Sequence, residues 1–185
     1  MIAVLFILIV VALLAGAIII YNKLIRLRQR VKNSWSQIEV QLKRRHDLIP
    51  NLVEVAKGYM SHERETLESV ITARNAAMSA TNVKEKGDAE NFLTSTLRSL
   101  FALVESYPNL KADTQMLALQ EELTNTENKI SFARQYYNDE VMRINTQIEV
   151  FPANMIAGAF NFTKEDFFEI EDISEKKAPR VDFSK

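Results

Sequence analysis

The chain has 185 residues, no cysteine, four Gly, four Pro and a formal net charge of −1. The absence of thiols excludes disulfides, thiolate nucleophiles and cysteine-ligated zinc or iron–sulfur centres, and the scarcity of Gly and Pro favours long helices. The charge is divided unevenly: residues 1–45 hold eight basic residues and one acidic, whereas the remainder holds 15 basic and 23 acidic.

Met1 to Asn22 read MIAVLFILIVVALLAGAIIIYN and carry no charged side chain. A helix rises about 1.5 Å per residue, so about 20 apolar residues cover the roughly 30 Å of bilayer hydrocarbon. Residues 1–22 are therefore predicted as a transmembrane anchor, with Ile2, Leu5, Ile9, Leu13 and Ile18 in lipid and Tyr21 at the interface. Lys23, Arg26, Arg28, Arg30 and Lys32 follow at once. Positive charge beside a span stays on the cytoplasmic side, which puts the N-terminus outside and the body in the cytoplasm, as a single-pass protein of the inner membrane. Each such residue near an anionic leaflet contributes on the order of 1 kcal/mol. Ala15-Gly16-Ala17 resembles a signal cleavage site, but a signal peptide carries its positive charge before the apolar run, and here it comes after. Nucleic acid is not expected as a partner, because the acidic body repels phosphates.

The stripe then continues through Leu24, Leu27, Val31, Trp35, Ile38, Leu42, Ile49, Leu52 or Val53, and Ala56 to Tyr59 or Met60. Steps of three and four put these on one helix face, and Trp35 lies too far from Tyr21 to sit in a membrane belt. Pro50 lacks an N–H, so the helix is expected to kink or restart between His46 and Pro50 and to run on to about Met60. Ser61 is placed as the cap of a second helix over 62–80, with Leu67, Val70, Ile71, Arg74 and Ala77 or Met78 inward. Residues 80–88, ATNVKEKGD, read as a loop. A third helix is predicted over 89–106 with Leu93, Leu97, Leu100 and Val104 inward, ending before Pro108. Asp113 caps the fourth helix, whose stripe runs Met116, Leu119, Leu123, Thr126, Ile130, Ala133, Tyr137, Val141, Ile144, Ile148 and Phe151 to a stop at Pro152. Four amphipathic helices with short connections predict an all-α, up-and-down four-helix bundle over 23–151 with long first and fourth helices.

Residues 152–185 form a Phe-rich acidic tail in which Phe160, Phe162, Phe167, Phe168 and Phe183 interleave with Glu165, Asp166, Glu169, Glu171, Asp172 and Glu175. No long period is present, though Thr163 is placed as the cap of a short turn. Burying a Phe gains roughly 1.5–3 kcal/mol, so the rings are expected to dock on the bundle or on a neighbouring subunit. Phe160, Phe162, Phe167 and Phe168 are the candidate oligomer contacts.

No catalytic, cofactor or metal constellation emerges. His46 and His62 are the only histidines and lie more than 20 Å apart if the helix between them is continuous; both read as polar-face residues. The segment HDLIPNL (46–52) loosely resembles a sensor-kinase phosphoacceptor box, but its proline comes one position early and no ATP-binding domain follows. No Gly-rich phosphate loop or nucleophile motif occurs, and no small-molecule substrate is expected.

Three stretches are distinctive together: WSQIEVQLKRRHDLIPNLVEVAKGYMSHE (35–63), LQEELTNTENKISFARQYYNDEVMRIN (119–145) and FPANMIAGAFNF (151–162). They resemble the LemA family of bacteria over nearly the whole chain. The resemblance implies an N-terminal membrane helix, a short external N-terminus and an up-and-down helical bundle, and it implies no reaction. It draws attention to polar residues in unusual places: Arg44, Arg45 and Asp47 by the kink, and Glu127, Asn128, Arg134, Asn138 and Asp139 on the fourth helix. These are candidate bundle-seam or partner-binding residues, with Arg44 or Arg45 paired to Asp139. The function expected is a membrane-anchored cytoplasmic scaffold or adaptor, not an enzyme, that binds an unidentified protein and copies of itself; the alternative is a signalling component that passes a helix shift inward from the membrane.

Overall fold

The computed structural model describes residues 1–60 and 62–169, and these are helical with no strand among them. Helix α1 (Ile2–Lys57) carries the apolar segment and the first stripe as far as Ala56 in one piece. At 56 residues it is about 84 Å long. Helix α2 (Arg64–Ser79) and helix α3 (Val83–Val104) pack on each other and close onto the distal third of α1. A single turn, α4 (Pro108–Lys111), leads into α5 (Thr114–Glu149), which runs antiparallel along α1. A short α6 (Ala153–Ala159) folds back against both.

Two apolar clusters hold the body. The distal one gathers Ile49, Leu52, Val53 and Ala56 of α1 with Leu67, Val70, Leu93, Leu97, Leu100, Met116 and Leu123. The proximal one is a two-helix seam of Leu27, Val31, Ile38 and Leu42 against Ile130, Tyr137, Val141 and Ile144, joined by Trp35 and Phe168. The 3.6-residue stripes read from the sequence are the buried or half-buried faces, but Phe151 is 79 % exposed, because α5 ends at Glu149 before the stripe reaches it.

Three element boundaries differ from the sequence reading. Of the segment 80–88 only residues 80–82 form a loop: α3 starts at Val83, capped by Asn82, whose Oδ1 accepts from the Glu85 N–H at 2.8 Å. Asn three residues before Glu is a capping signal, which the Lys-rich sequence around Gly87 obscured. Helix α2 begins at Arg64 after Glu63, which makes no side-chain cap bond; the cap predicted at Ser61 lies outside the described residues. Residues 162–169 form neither helix nor turn, so Thr163 caps none.

Pro50 sits inside α1 without ending it. A proline in a helix leaves the carbonyl four residues back without its donor. That carbonyl belongs to His46, and the Arg74 Nε–H of α2 donates to it at 2.7 Å. An interior proline thus becomes a docking point for a second helix. Replacing Arg74 with Met should cost about 1–3 kcal/mol in chemical denaturation, the penalty of an orphaned, partly buried acceptor. Adding Pro50→Ala restores the missing N–H and should recover most of that loss. No recovery in the double variant would mean that Arg74 acts through its charge instead.

Candidate functional site

Just before Pro50, α1 turns two polar residues inward. Arg45 is 3 % exposed and His46 6 %, and both meet Glu90 of α3, which is fully buried. Glu90 Oε1 and His46 Nε2 share a hydrogen bond at 2.7 Å, and Glu90 Oε2 accepts from Arg45 Nη1 at 3.4 Å. Arg45 also donates through Nη2 to Thr94 Oγ1 at 2.8 Å and pairs through Nη1 with Glu127 of α5 at 3.1 Å. One guanidinium therefore ties α1 to α3 and α5 at the junction of the two apolar clusters. A cavity of about 220 Å³ opens above it, lined by Arg45, Thr94, Leu97, Arg98, Phe101 and Glu127 among others. Burying charge costs several kcal/mol per ion unless partners replace the lost water; here each charged group has at least one.

This geometry corrects two expectations. His46 is not a solvated polar-face residue but a buried partner of Glu90. Neither Arg44 nor Arg45 meets Asp139: Arg44 pairs with Glu122, Arg45 with Glu90 and Glu127, and Asp139 is exposed. The inward carboxylate at that level is Glu140, one residue along, 1 % exposed and bonded to Arg143 at 2.6 Å. Asp47 faces solvent beside Lys43, whose hydrogen bond holds its carboxyl below the usual range. Asn128 is exposed at the cavity mouth and Arg134 is half-buried on α5.

The second constellation fastens the tail. Asn138 and Asn145 lie one heptad apart on α5. Asn138 accepts from the Phe168 N–H at 2.9 Å and donates to the Phe168 carbonyl at 3.2 Å. Asn145 does the same for Glu165, at 2.9 Å in both directions. A side-chain amide thus imitates a neighbouring strand, and the Tyr137 hydroxyl adds a bond to the Asp166 carbonyl at 2.8 Å. Burial, then the carboxylates of Glu165 and Asp166, push that phenol up to about 12. Phe168 is fully buried, its ring edge-on to Trp35 at 5.3 Å. The backbone passes so close to α3 that a Cβ on Gly87 would stand 2.7 Å from the Glu169 carbonyl oxygen.

The four candidate oligomer contacts therefore divide. Phe162 and Phe168 are buried within their own chain, whereas Phe160 and Phe167 are 58 % and 45 % exposed. Phe183, Glu171, Asp172 and Glu175 lie outside the described residues. In the apolar segment Ile2, Leu5, Ile9, Leu13 and Ile18 are all exposed, and Tyr21 is half-covered by α6 and the tail. Lys23, Arg26, Arg30 and Lys32 face outward, and the Arg28 guanidinium stands 5.1 Å from the centre of the Phe162 ring. The N-terminal part of α1 is the one stretch, among the described residues, long and apolar enough to cross a membrane. No group of three or more His, Cys, Asp or Glu residues placed to hold a metal ion occurs among the described residues.

Sequence reasoning missed Glu90, Thr94, Gly87 and Asn145. Glu90 was detectable: it stands three residues before Leu93 on the stripe of Leu97 and Leu100, where a charge must find a partner. Asn145 repeats Asn138 at heptad spacing. Gly87 reads as a helix breaker unless the tail that needs its missing Cβ is in view.

Residues 34–183 match the sequence model of the LemA family. Protein LemA of Metamycoplasma hominis is 27 % identical over 154 residues, covering 82 % of this chain and 70 % of that one. Magnetosome proteins MamQ 1 and MamQ 2 of Paramagnetospirillum magneticum are each 22 % identical over 186 aligned positions, covering 86 % of this chain and 68 % of theirs. The chain belongs to the LemA family.

Proposed function

We propose that this LemA-family chain is a membrane-anchored helical scaffold that acts by binding protein, including copies of itself. In this reading α1, α2, α3 and α5 form an up-and-down bundle in the cytoplasm, the N-terminus lies outside, and Lys23, Arg26, Arg28, Arg30 and Lys32 meet the inner leaflet. One observation carries the binding role. On the side of the α1–α5 seam away from the tail, Val40, Phe132 and Tyr136 are 62 %, 72 % and 45 % exposed around a groove of about 550 Å³. The buried Gln41 Oε1 in that groove has no hydrogen-bond partner. Exposed aromatics around an unsatisfied polar atom suit a surface that another helix completes. The head-to-tail alternative through Phe162 and Phe168 has less support, since their own chain buries both.

In a gentle detergent extract the full-length chain should run as a species several times the mass of one chain. Phe132→Ser with Tyr136→Ser should reduce it to a single chain without lowering stability, because both side chains are already exposed. A wild-type profile of single chains would remove the self-association.

A second reading has its own support. The apolar segment and the Arg45–His46 layer share one unbroken helix, which suits transmission of a shift from the membrane inward. Each residue inserted after Lys23 rotates one part against the other by about 100°. Insertions of one to four residues should change hydrogen exchange around residues 45–49 in proteoliposomes; silence at all four lengths would exclude rigid transmission.

A further inference from the structure

Outside the first 22 residues, the longest run without a charged side chain is Val150–Thr163, VFPANMIAGAFNFT, at 14 residues. It folds into the α5–α6 corner, α6 and the turn that follows. There the Phe162 N–H bonds back to the Ala157 carbonyl at 2.9 Å and Asn161 takes a left-handed φ of 54°, a conformation that asparagine tolerates better than most residues.

The corner has two apolar faces. One buries Ala153, Ala157 and Phe162, and packs on Ile20, Tyr21, Leu24 and Ile25 of α1. The other is open: Val150, Phe151, Met155 and Phe160 are 43 %, 79 %, 65 % and 58 % exposed. The Phe160 ring lies 4.7 Å from that of Tyr21. The two uncharged runs of the chain therefore meet side by side at the level where the apolar part of α1 ends. Lys23, Arg26 and Arg30 are exposed just beyond, and Lys164 pairs with Glu149 at the edge of the corner.

We propose that the α5–α6 corner is a second membrane contact, in which Phe151, Met155 and Phe160 enter the interfacial region of the leaflet nearest the body. This rests on reading residues 1–22 as a span. Given that span, its end fixes the corner at the hydrocarbon boundary, so the open face meets lipid without a search for a partner. Aromatic and Met side chains suit that depth, and the surrounding basic residues complement anionic headgroups. The contact would hold the body at a fixed tilt to the bilayer instead of letting it swing on α1 alone.

The chain has no cysteine, so one introduced thiol is a unique label site. Phe151→Cys, Met155→Cys, Ile9→Cys in the span and Ser106→Cys at the far end of the body are each given an environment-sensitive fluorophore. The full-length chain is reconstituted into phosphatidylcholine–phosphatidylglycerol vesicles. Labels at 151 and 155 should be blue-shifted and quenched by a nitroxide placed shallow in the acyl chains. The label at 9 should be quenched by a deep nitroxide, and the one at 106 by aqueous iodide alone. Iodide-accessible labels at 151 and 155, with 9 still deep, would overturn the contact and leave the span standing. Shielding of 151 and 155 from both quenchers would mean that protein covers the face, and would also overturn it. An iodide-accessible label at 9 would remove the span, and this inference with it.

Discussion

Replacing Glu90 with Ala should destabilise the helical body by about 3–5 kcal/mol, a large share of the 5–15 kcal/mol available to an ordinary domain. The carboxylate is fully buried and faces both Arg45 and His46. Its loss leaves a guanidinium that is 3 % exposed with Thr94 and the half-exposed Glu127 as its remaining partners among the described residues. The cost is chiefly that of an under-compensated buried charge, not of a missing attraction. The control is the triple variant Arg45→Met, His46→Leu, Glu90→Leu, which removes every charge of the inner layer together. Well-packed apolar replacements of buried ion pairs are often neutral or stabilising, so the triple variant should be at least as stable as the wild type in chemical denaturation. If it is as weak as Glu90→Ala, the layer contributes by hydrogen bonding and shape beyond its charge balance. If it is stable but no longer self-associates in detergent, the charges serve binding, and the small cavity above Arg45 becomes the place to look.

The contrast between what periodicity revealed and what it hid has a physical basis. Apolar stripes follow from helix geometry alone, so Leu93, Leu97, Leu100 and Val104 could be placed without knowing their partners. Polar contacts depend on which helices meet and at what rotation. Asp139 and Glu140 differ by about 100° around α5, and only the second faces inward. His46 looked like a solvated residue because the stripe could not show that α3 packs with Glu90 turned toward it. Pro50 raised the right question, a helix carbonyl without a donor, but its answer lies on another helix at Arg74. The tail was the least legible part. Its apolar content announced burial, while its two clasps are bonds from the Asn138 and Asn145 side chains to the tail's backbone, which impose no requirement on the residues they grip.

Replacing Phe168 with Ala should release residues 162–169 from the body. A buried Phe truncated to Ala costs about 3–5 kcal/mol in a core that must keep its shape. This Phe lies on a segment that can leave, so the loss seen in global unfolding is capped at the free energy of docking the segment. The remainder appears as local exposure, measurable as faster proteolysis between Thr163 and Glu169. Trp35, the only tryptophan of the chain, loses its edge-on neighbour, so its emission reports the release directly. Gly87→Ala separates the causes. It leaves Phe168 intact but sets a Cβ 2.7 Å from the Glu169 carbonyl oxygen, while relieving α3 of a mid-helix glycine worth about 1 kcal/mol. The two effects have opposite signs: the tail should loosen as the helix itself gains. Asn138→Ala with Asn145→Ala removes the four clasp bonds and should loosen the tail by about 0.5–1.5 kcal/mol for each. A tail held by its own chain is released to an extent independent of protein concentration. If dilution of the wild type alone increases the exposure, copies are exchanging their tails, and the seat of the tail on Asn138 and Asn145 is an intermolecular site.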